Sequence, residues 1–225
     1  MSEILNGPSI SKHDKPEKLI FMLHGYGDNA ANFLHLANPI DQDEWKVQYV
    51  AMNAPNYITG NLMGYQWFDL YPNGIYISEA GPDEFEQIRN EISVAVNKII
   101  NTMEKYCESL QLSLADCILM GFSQGGMMTL TTGPSLDLAG LISFSGALLT
   151  EQNLKQASHS SPPILLIHGD LDDVVPATAL IEAQSHFEEK GYDVEVVLEK
   201  GVGHSIDQVG LDAARKFIDT HLPLE

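Results

Sequence analysis

Short, strongly apolar segments recur along this chain, and stretches with helical periodicity separate them. Several of the segments are apolar without alternation, which is typical of parallel strands whose two faces are both buried. Strands that alternate with helices build a mostly parallel sheet with helices packed on both of its faces. The sequence therefore predicts an α/β fold, with strands at residues 19–23, 47–52, 117–120, 141–144, 164–167 and 194–198.

Two amphipathic helices can be placed among these strands. The first begins after Gly81, because Pro82 suits the first helical position and the acidic Asp83 and Glu84 favour the positive end of a helix. The second closes the chain. Their apolar residues recur at steps of three or four and should face the sheet. They are Phe85, Ile88, Ile92, Val96, Ile99, Met103 and Tyr106 in the first helix, and Ile206, Val209, Ala213 and Phe217 in the second.

No linker or internal repeat divides the 225 residues, so we expect a single domain over residues 1–225. Residues 1–18 would form an N-terminal extension or an edge strand. Residues 53–81 fit no regular element, yet they hold six aromatic side chains. Because long loops within compact domains are usually functional, we predict a substrate-side loop that lines or covers a pocket. Simple packing explains each ring, taken singly, equally well.

Acidic side chains greatly outnumber basic ones, 31 against 12, for a net charge of −19. Such a field repels phosphate backbones and anionic lipid, so we expect no nucleic-acid partner. The apolar runs fall far short of the ~18 residues that cross a bilayer, and the N-terminus lacks the pattern of a signal peptide. Two cysteines, Cys107 and Cys117, are too few for a disulfide framework. We expect a cytoplasmic protein with reduced thiols and no stable membrane insertion.

A candidate nucleophile lies at residues 121–125, which read Gly-Phe-Ser-Gln-Gly. This matches G-x-S-x-G, in which the serine occupies a strained turn between a strand and a helix. The motif alone is a weak signal, since a glycine-rich turn without catalytic function would look the same. Its position after the predicted strand 117–120 strengthens the assignment. We predict Ser123 as the nucleophile.

A serine hydroxyl needs a base that removes its proton and a carboxylate that orients this base. In folds with this motif the acid and then the histidine follow the serine along the chain. His204 lies in a glycine-rich loop after the last predicted strand, where it can reach the carboxyl edge of the sheet, and we predict it as the base. His168 is the rival, but it precedes the candidate acids. The positions of the other three are less suitable: His159, His186 and His221.

Three acids crowd the loop after residues 164–167, namely Asp170, Asp172 and Asp173. One of them is expected to hold the imidazole, and residue types alone do not choose among them. A solvated loop or a cation site would show a similar cluster, although the pattern of an EF-hand is missing.

The reaction also requires two N–H groups that bind the oxyanion. One should come from the residue after the nucleophile, Gln124. The other should come from the loop after an early strand, and residues 23–28 (LHGYGD) fit this position, with the N–H of Tyr26 as our candidate.

Taken together, these motifs resemble the phospholipase/carboxylesterase family of α/β hydrolases, which includes the acyl-protein thioesterases. The matching stretches span nearly all of the chain beyond Leu19. They are LHGYGD at 23–28, NAP at 53–55, GYQWFDL at 64–70, GFSQGG at 121–126, HGDLDDVVP at 168–176 and GVGH at 201–204.

The resemblance implies an α/β-hydrolase fold without a separate cap domain and no cofactor. We also expect no metal site. Its H-G-x-x-D-x-x-V-P pattern places the triad acid at Asp172. It places the nucleophile at Ser123 and the base at His204. The oxyanion N–H groups fall on Tyr26 and Gln124.

We therefore expect a serine hydrolase that cleaves carboxylic esters or acyl thioesters through an acyl-enzyme. Its substrate would be a small molecule, a lipid or an acylated protein, and Trp67 and Phe68 would contribute to substrate binding. Packing alone would explain Trp67 equally well. The alternatives are a lysophospholipase, a broad small-ester esterase, and a hydrolase-like binding module without catalysis. A homodimer is compatible with these features.

Overall fold

The computed structural model describes residues 3–58, 61–149 and 161–222. Nine strands are present in this part of the chain, and all six predicted strands are among them with nearly the expected bounds. They are β1 (Ser9–Ser11), β2 (Lys18–Leu23), β3 (Val47–Met52), β4 (Asn56–Ile58), β5 (Asn61–Gln66), β6 (Cys117–Phe122), β7 (Gly140–Phe144), β8 (Ile164–Gly169) and β9 (Val194–Glu199).

Seven of these strands form one sheet in the order β1-β3-β2-β6-β7-β8-β9. Every neighbouring pair runs parallel except β1 and β3, so the sheet is mostly parallel, as predicted. The central strands β6, β7 and β8 are almost entirely buried, which agrees with their unbroken apolar sequences. Within the predicted N-terminal extension, β1 forms an edge of the sheet.

Helices cover both faces of the sheet. They are α1 (Ala30–Phe33), α2 (Ala37–Ile40), α3 (Pro82–Leu110), α4 (Gln124–Thr132), α5 (Thr178–Glu189) and α6 (Gln208–His221). The buried residues of α3, α4 and α5 belong to the core on one face, and those of α1, α2 and α6 belong to the core on the other. The predicted α/β class is therefore confirmed.

The long helix α3 begins at Pro82, as the sequence predicts, and its glutamate at 84 accepts a hydrogen bond from the N–H of Gly81 at 3.1 Å. Ile88, Ile92, Ile99 and Met103 of the predicted stripe are buried against the sheet. Phe85 remains exposed, because the first turn of the helix extends beyond the core.

The segment 53–81 has more regular structure than the sequence predicts. It contains the β4–β5 hairpin and two short 3₁₀ turns, Pro72–Gly74 and Ile77–Glu79, while residues 59–60 lie outside the described residues. The hairpin strands lack a clear apolar alternation, which is why they escape notice in the sequence. Cross-strand pairing supports them, with the rings of Tyr57 and Tyr65 4.5 Å apart.

The loops that carry the candidate residues follow β2, β6, β8 and β9, and these four strands are parallel. Their carboxyl ends therefore meet at one edge of the sheet, where parallel α/β folds place their sites. None of the helices that the structure describes combines the length and the apolar character needed to cross a membrane.

Candidate active site

Ser123 connects β6 to α4 in a backbone conformation that non-glycine residues rarely adopt, with φ of 54° and ψ of −119°. The tight turn depends on its glycine neighbours. A Cβ on Gly125 would overlap the carbonyl oxygen of Leu23 in β2, and a Cβ on Gly121 would overlap the carbonyl of Gly125. The turn is further held by the N–H of Ser123, which donates to the carbonyl of Phe144 at 2.9 Å.

The structure brings Ser123, Asp172 and His204 together at the carboxyl edge of the sheet. The Oγ of Ser123 lies 2.9 Å from Nε2 of His204, and Nδ1 of His204 lies 2.7 Å from Oδ2 of Asp172. In a neutral imidazole, the Nδ1–H then donates to the carboxylate and Nε2 accepts from the hydroxyl. This tautomer has the serine proton directed at the atom that can accept it.

The carboxylate of Asp172 is buried and satisfied on both oxygens. Its Oδ1 accepts from the backbone N–H groups of Val174 and Val175 at 3.0 and 2.9 Å. Burial by itself raises the pKa of this carboxyl, but the hydrogen bonds from His204, Val175 and Val174 outweigh burial and hold the pKa below its usual value. Asp172 is therefore ionised at neutral pH.

The other two acids of the cluster are not brought to the imidazole. Asp173 is exposed, and Asp170 accepts a hydrogen bond from the N–H of Gly201 at 2.6 Å. Within the described part of the chain, no group of three or more His, Cys, Asp or Glu side chains is arranged to hold a metal ion.

The rival histidine, His168, is buried at the end of β8, and its Nε2–H donates to the carbonyl of Val175 at 2.8 Å. His168 therefore stabilises the loop that carries Asp172, whereas the hydroxyl of Ser123 is hydrogen-bonded to His204. Two further histidines, His186 and His221, lie on α5 and α6, and His159 lies outside the described residues.

The two backbone groups predicted for the oxyanion belong to residues that border the same cavity as Ser123. Gln124 is the first residue of α4, so its N–H has no acceptor within the helix and lies at the positive helix end. The N–H of Tyr26 has no acceptor among the described residues. The loop of Tyr26 packs closely on the turn, since a Cβ on Gly25 would stand 3.5 Å from the Cβ of Ser123.

A fully buried histidine, His24, controls the conformation of this loop, and sequence reasoning did not assign it a function. Its Nε2 accepts from the N–H of Ala54 at 3.0 Å, so the proton must be on Nδ1, which donates to the carbonyl of Gly25 at 2.7 Å. Burial lowers the pKa of His24, which keeps this imidazole neutral. Because C=O and N–H point in opposite directions in a trans peptide, holding the Gly25 carbonyl also aims the N–H of Tyr26.

The side chain of Gln124 connects the serine turn to the stretch before α3. Its Oε1 accepts from the N–H of Trp67 at 2.9 Å, and its Nε2 donates to the carbonyl of Phe68 at 2.8 Å. Trp67 is fully buried behind the cavity, where its indole N–H donates to the carbonyl of His24 at 2.9 Å. Of the two aromatic residues predicted to bind substrate, only Phe68 lines the cavity.

An apolar cavity of about 500 Å³ opens beside Ser123 and His204, which is the usual size of a small-ligand site. The segment 53–81, predicted to line or cover a pocket, supplies part of the wall, including Phe68, Tyr71 and Tyr76. Sequence reasoning did not single out the other wall residues, which include Met127, one helical turn beyond the serine, and Leu148, Leu149 and Val174 in the loops after β7 and β8.

Comparison with known families agrees with this geometry. The family described as phospholipase/carboxylesterase matches residues 7–222. The chain belongs to this family. The predicted resemblance to the phospholipase/carboxylesterase family is thereby confirmed.

Individual relatives of the family match the chain over nearly its whole length. Acyl-protein thioesterase 1 homolog 1 of Dictyostelium discoideum is 27% identical over 213 residues, covering 91% of this chain and 90% of that protein. Esterase YpfH of Escherichia coli is 28% identical over 223 residues, covering 94% and 88%. The crystal structure of esterase PE8 superposes with a TM-score of 0.85 at 34% identity, covering 97% of this chain and all of that one. The predicted α/β-hydrolase fold is confirmed.

Proposed function

We propose that this protein is a serine hydrolase that cleaves carboxylic esters or acyl thioesters through an acyl-enzyme. The observation that carries the proposal is the continuous hydrogen-bonded chain from Ser123 through His204 to the buried carboxylate of Asp172. The relatives are named thioesterases and esterases, which supports hydrolysis of an ester or thioester.

In the first half of the reaction, Oγ of Ser123 attacks the substrate carbonyl while Nε2 of His204 takes the hydroxyl proton. The new C–O bond places negative charge on the former carbonyl oxygen. The N–H groups of Tyr26 and Gln124 stabilise this charge, because they are held in place before the charge develops. Asp172 stabilises the imidazolium that forms, and its low pKa keeps its own charge in place.

The tetrahedral intermediate then collapses. The bond from carbon to the leaving oxygen or sulfur breaks, and the leaving group takes the proton from His204. Water enters, loses a proton to His204 and attacks the acyl-enzyme carbon. The bond from this carbon to Oγ then breaks, the acid leaves, and Oγ of Ser123 takes the proton back from His204. The same imidazole therefore serves both halves of the cycle.

The cavity beside Ser123 suits an apolar acyl group. Its walls are mostly aliphatic and aromatic side chains, among them Phe68, Met127 and Leu148, and the described residues that line it include no Lys or Arg for a charged acyl chain. The net charge of −19 disfavours anionic substrates at long range. A neutral ester or an acylated protein therefore fits better than a polyanion.

Fluorophosphonate labelling tests the proposal, because only an activated serine reacts readily with this probe. We expect Ser123→Ala to abolish labelling, and Ser123→Ala or His204→Ala to lower kcat by about 10⁶. Ser205→Ala is the matched control, since Ser205 is exposed beside His204 and its backbone N–H, which the substitution keeps, donates to the carbonyl of Gly203. A protein that resists the probe, or a Ser123→Ala variant that keeps its activity, would instead indicate a binding module without this chemistry.

A panel of acyl donors then defines the substrate. It should contain p-nitrophenyl esters of increasing chain length, a lysophospholipid and an S-acylated peptide. We expect kcat/KM to rise with chain length until the 500 Å³ cavity is full. A preference for acetyl esters over all longer chains would contradict binding of the acyl group in the cavity.

We also propose a cytoplasmic location. Cys107 and Cys117 are free thiols, and their sulfur atoms lie 3.4 Å apart in the buried interior. Thiols this close persist unpaired in a reducing compartment.

A further inference from the structure

The loop that carries His204 runs from the end of β9 to the start of α6, and a carboxyl group stands at each end of it. Glu199 is the last residue of β9, and Asp207 is the N-cap of α6. Glu199 is only 4% exposed. Its carboxyl packs on the first turn of α6, since a Cβ on Gly210 would stand 3.0 Å from Oε1 and 3.3 Å from Oε2.

Asp207 is engaged as a helix cap. Its Oδ1 accepts from the N–H groups of Val209 and Gly210 at 2.8 and 3.1 Å, which favours the ionised form at the positive helix end. The carboxyl of Glu199 lies against Gly210, the residue whose N–H the Asp207 cap binds, and among the described residues Oε1 of Glu199 meets no donor. Two neighbouring carboxyl groups form a hydrogen bond with each other only when one of them carries a proton.

The surroundings assign the proton to Glu199. Burial, and then the neighbouring Asp207, raise the pKa of Glu199 to about 7, while the bond from Glu199 lowers the pKa of Asp207. No cation acts on Glu199 among the described residues. The titratable groups on the elements around it are His168, Asp170, Asp172 and Asp173 on β8 and the loop after it, Glu195 on β9, Lys200 and His204 on the loop itself, Asp207 at the start of α6, and Asp212, Arg215, Lys216, Asp219 and His221 on α6.

The loop of His204 is attached on its other side by backbone hydrogen bonds. The N–H of Asp170 donates to the carbonyl of Glu199, and the N–H of Leu171 donates to the carbonyl of Val202, both at 2.9 Å. These bonds connect it to the loop that carries Asp172. The carboxyl groups of Glu199 and Asp207 connect the same loop to α6.

We propose that protonated Glu199 donates a hydrogen bond to Asp207, so that the two carboxyl groups close the loop of His204 and make Glu199 a positioning residue for the base. The proposal rests on the proposed function for the role of His204, and on the geometry alone for the shared proton. Ionisation of Glu199 places two negative charges side by side and opens the connection.

The experiment compares the wild-type chain with Glu199→Gln, whose amide donates to Asp207 at every pH. The thermal midpoint, kcat and KM are measured for a p-nitrophenyl ester between about pH 5 and about pH 9. Because the folded state binds the Glu199 proton more tightly than the unfolded state, wild-type stability falls as pH rises towards and through 7. The midpoint of the Gln variant should lack this fall.

Activity provides the readout for positioning. We expect the kcat of Glu199→Gln to equal that of the wild type near pH 6 and to exceed it by about threefold near pH 9, with KM unchanged. Asp207→Asn is the matched control at the other end of the pair. It removes the neighbouring charge but leaves Glu199 buried, so it should reduce the fall of the midpoint with pH without abolishing it.

Coinciding midpoint curves for the wild type and Glu199→Gln would overturn the shared proton. Divergent midpoints with identical kcat profiles would overturn the positioning role. Fluorophosphonate labelling of the wild type separates the two proposals. A wild type that is not labelled refutes the proposed function. Normal labelling together with coinciding midpoint curves refutes only the role of Glu199.

Discussion

The buried imidazole of His24 allows the proposed oxyanion site at Tyr26 and Gln124 to be tested without changing Ser123, His204 or Asp172. Two substitutions each keep a different one of its two hydrogen bonds. His24→Asn places an amide N–H where Nδ1 stood and can keep the bond to the Gly25 carbonyl. His24→Gln places an amide oxygen where Nε2 stood and can keep the bond from the N–H of Ala54.

The structure sets the size of the expected effect. Losing the 2.7 Å bond from His24 leaves the carbonyl of Gly25 with the long 3.3 Å bond from the N–H of Asp28. This weaker bond leaves most of the cost of an unmet buried acceptor, about 1 to 3 kcal/mol. Since about 1.4 kcal/mol is tenfold in an equilibrium, the fraction of molecules with the Tyr26 N–H correctly aimed falls by about five- to a hundredfold. The loss of kcat cannot exceed that caused by removing one oxyanion donor completely, which is about 10² to 10³.

We therefore expect His24→Gln to lower kcat by about ten- to a hundredfold with KM unchanged, because the oxyanion exists only in the transition state. His24→Asn should stay within about threefold of the wild type. Each variant removes one hydrogen bond of a buried backbone group, so both should lose about 1 to 3 kcal/mol of stability. The assay is steady-state hydrolysis of a p-nitrophenyl ester, together with denaturant unfolding of both variants.

The comparison has a clear refuting result. If the two variants lose equal activity in proportion to equal losses of stability, His24 is a packing residue and the N–H of Tyr26 is not aimed by it. If His24→Asn proved the more damaging change, the bond to Ala54 would matter more than the bond to Gly25.

Three further predictions follow from the site. Asp172→Asn should lower kcat by about 10⁴. Asp173→Asn should leave kcat within about a factor of two, because that carboxylate is exposed. Equal losses in ester hydrolysis would refute the assignment of the acid. Gly125→Ala should lower the thermal midpoint by about 5 to 10 °C, since its Cβ would overlap the carbonyl of Leu23, and an unchanged melting curve would contradict this close approach. Met127→Trp should reduce kcat/KM for long acyl esters by about tenfold or more while sparing acetyl esters, and a uniform loss across chain lengths would show that the acyl group binds elsewhere.

Local sequence determined the fold class and the probable places of chemistry to a large extent. The strands of the parallel sheet are unbroken apolar runs because both of their faces are buried, and such runs can be recognised without knowing their neighbours. The turn at Ser123 was recognisable for a similar reason, since its glycines are required by backbone geometry within a few residues. The order of the motifs sufficed to recognise the phospholipase/carboxylesterase family.

Long-range contacts decided the rest. Residue chemistry could not choose among three neighbouring aspartates, because the choice depends on which carboxylate meets the imidazole of His204 from another strand. The inward position of Trp67 and the bond from His24 to Gly25 depend on packing between segments that are distant in sequence. The proposed proton sharing of Glu199 likewise requires the approach of α6 to the end of β9. The apolar pattern of a strand is present in the sequence, whereas the environment of a charged group is created only when the chain folds.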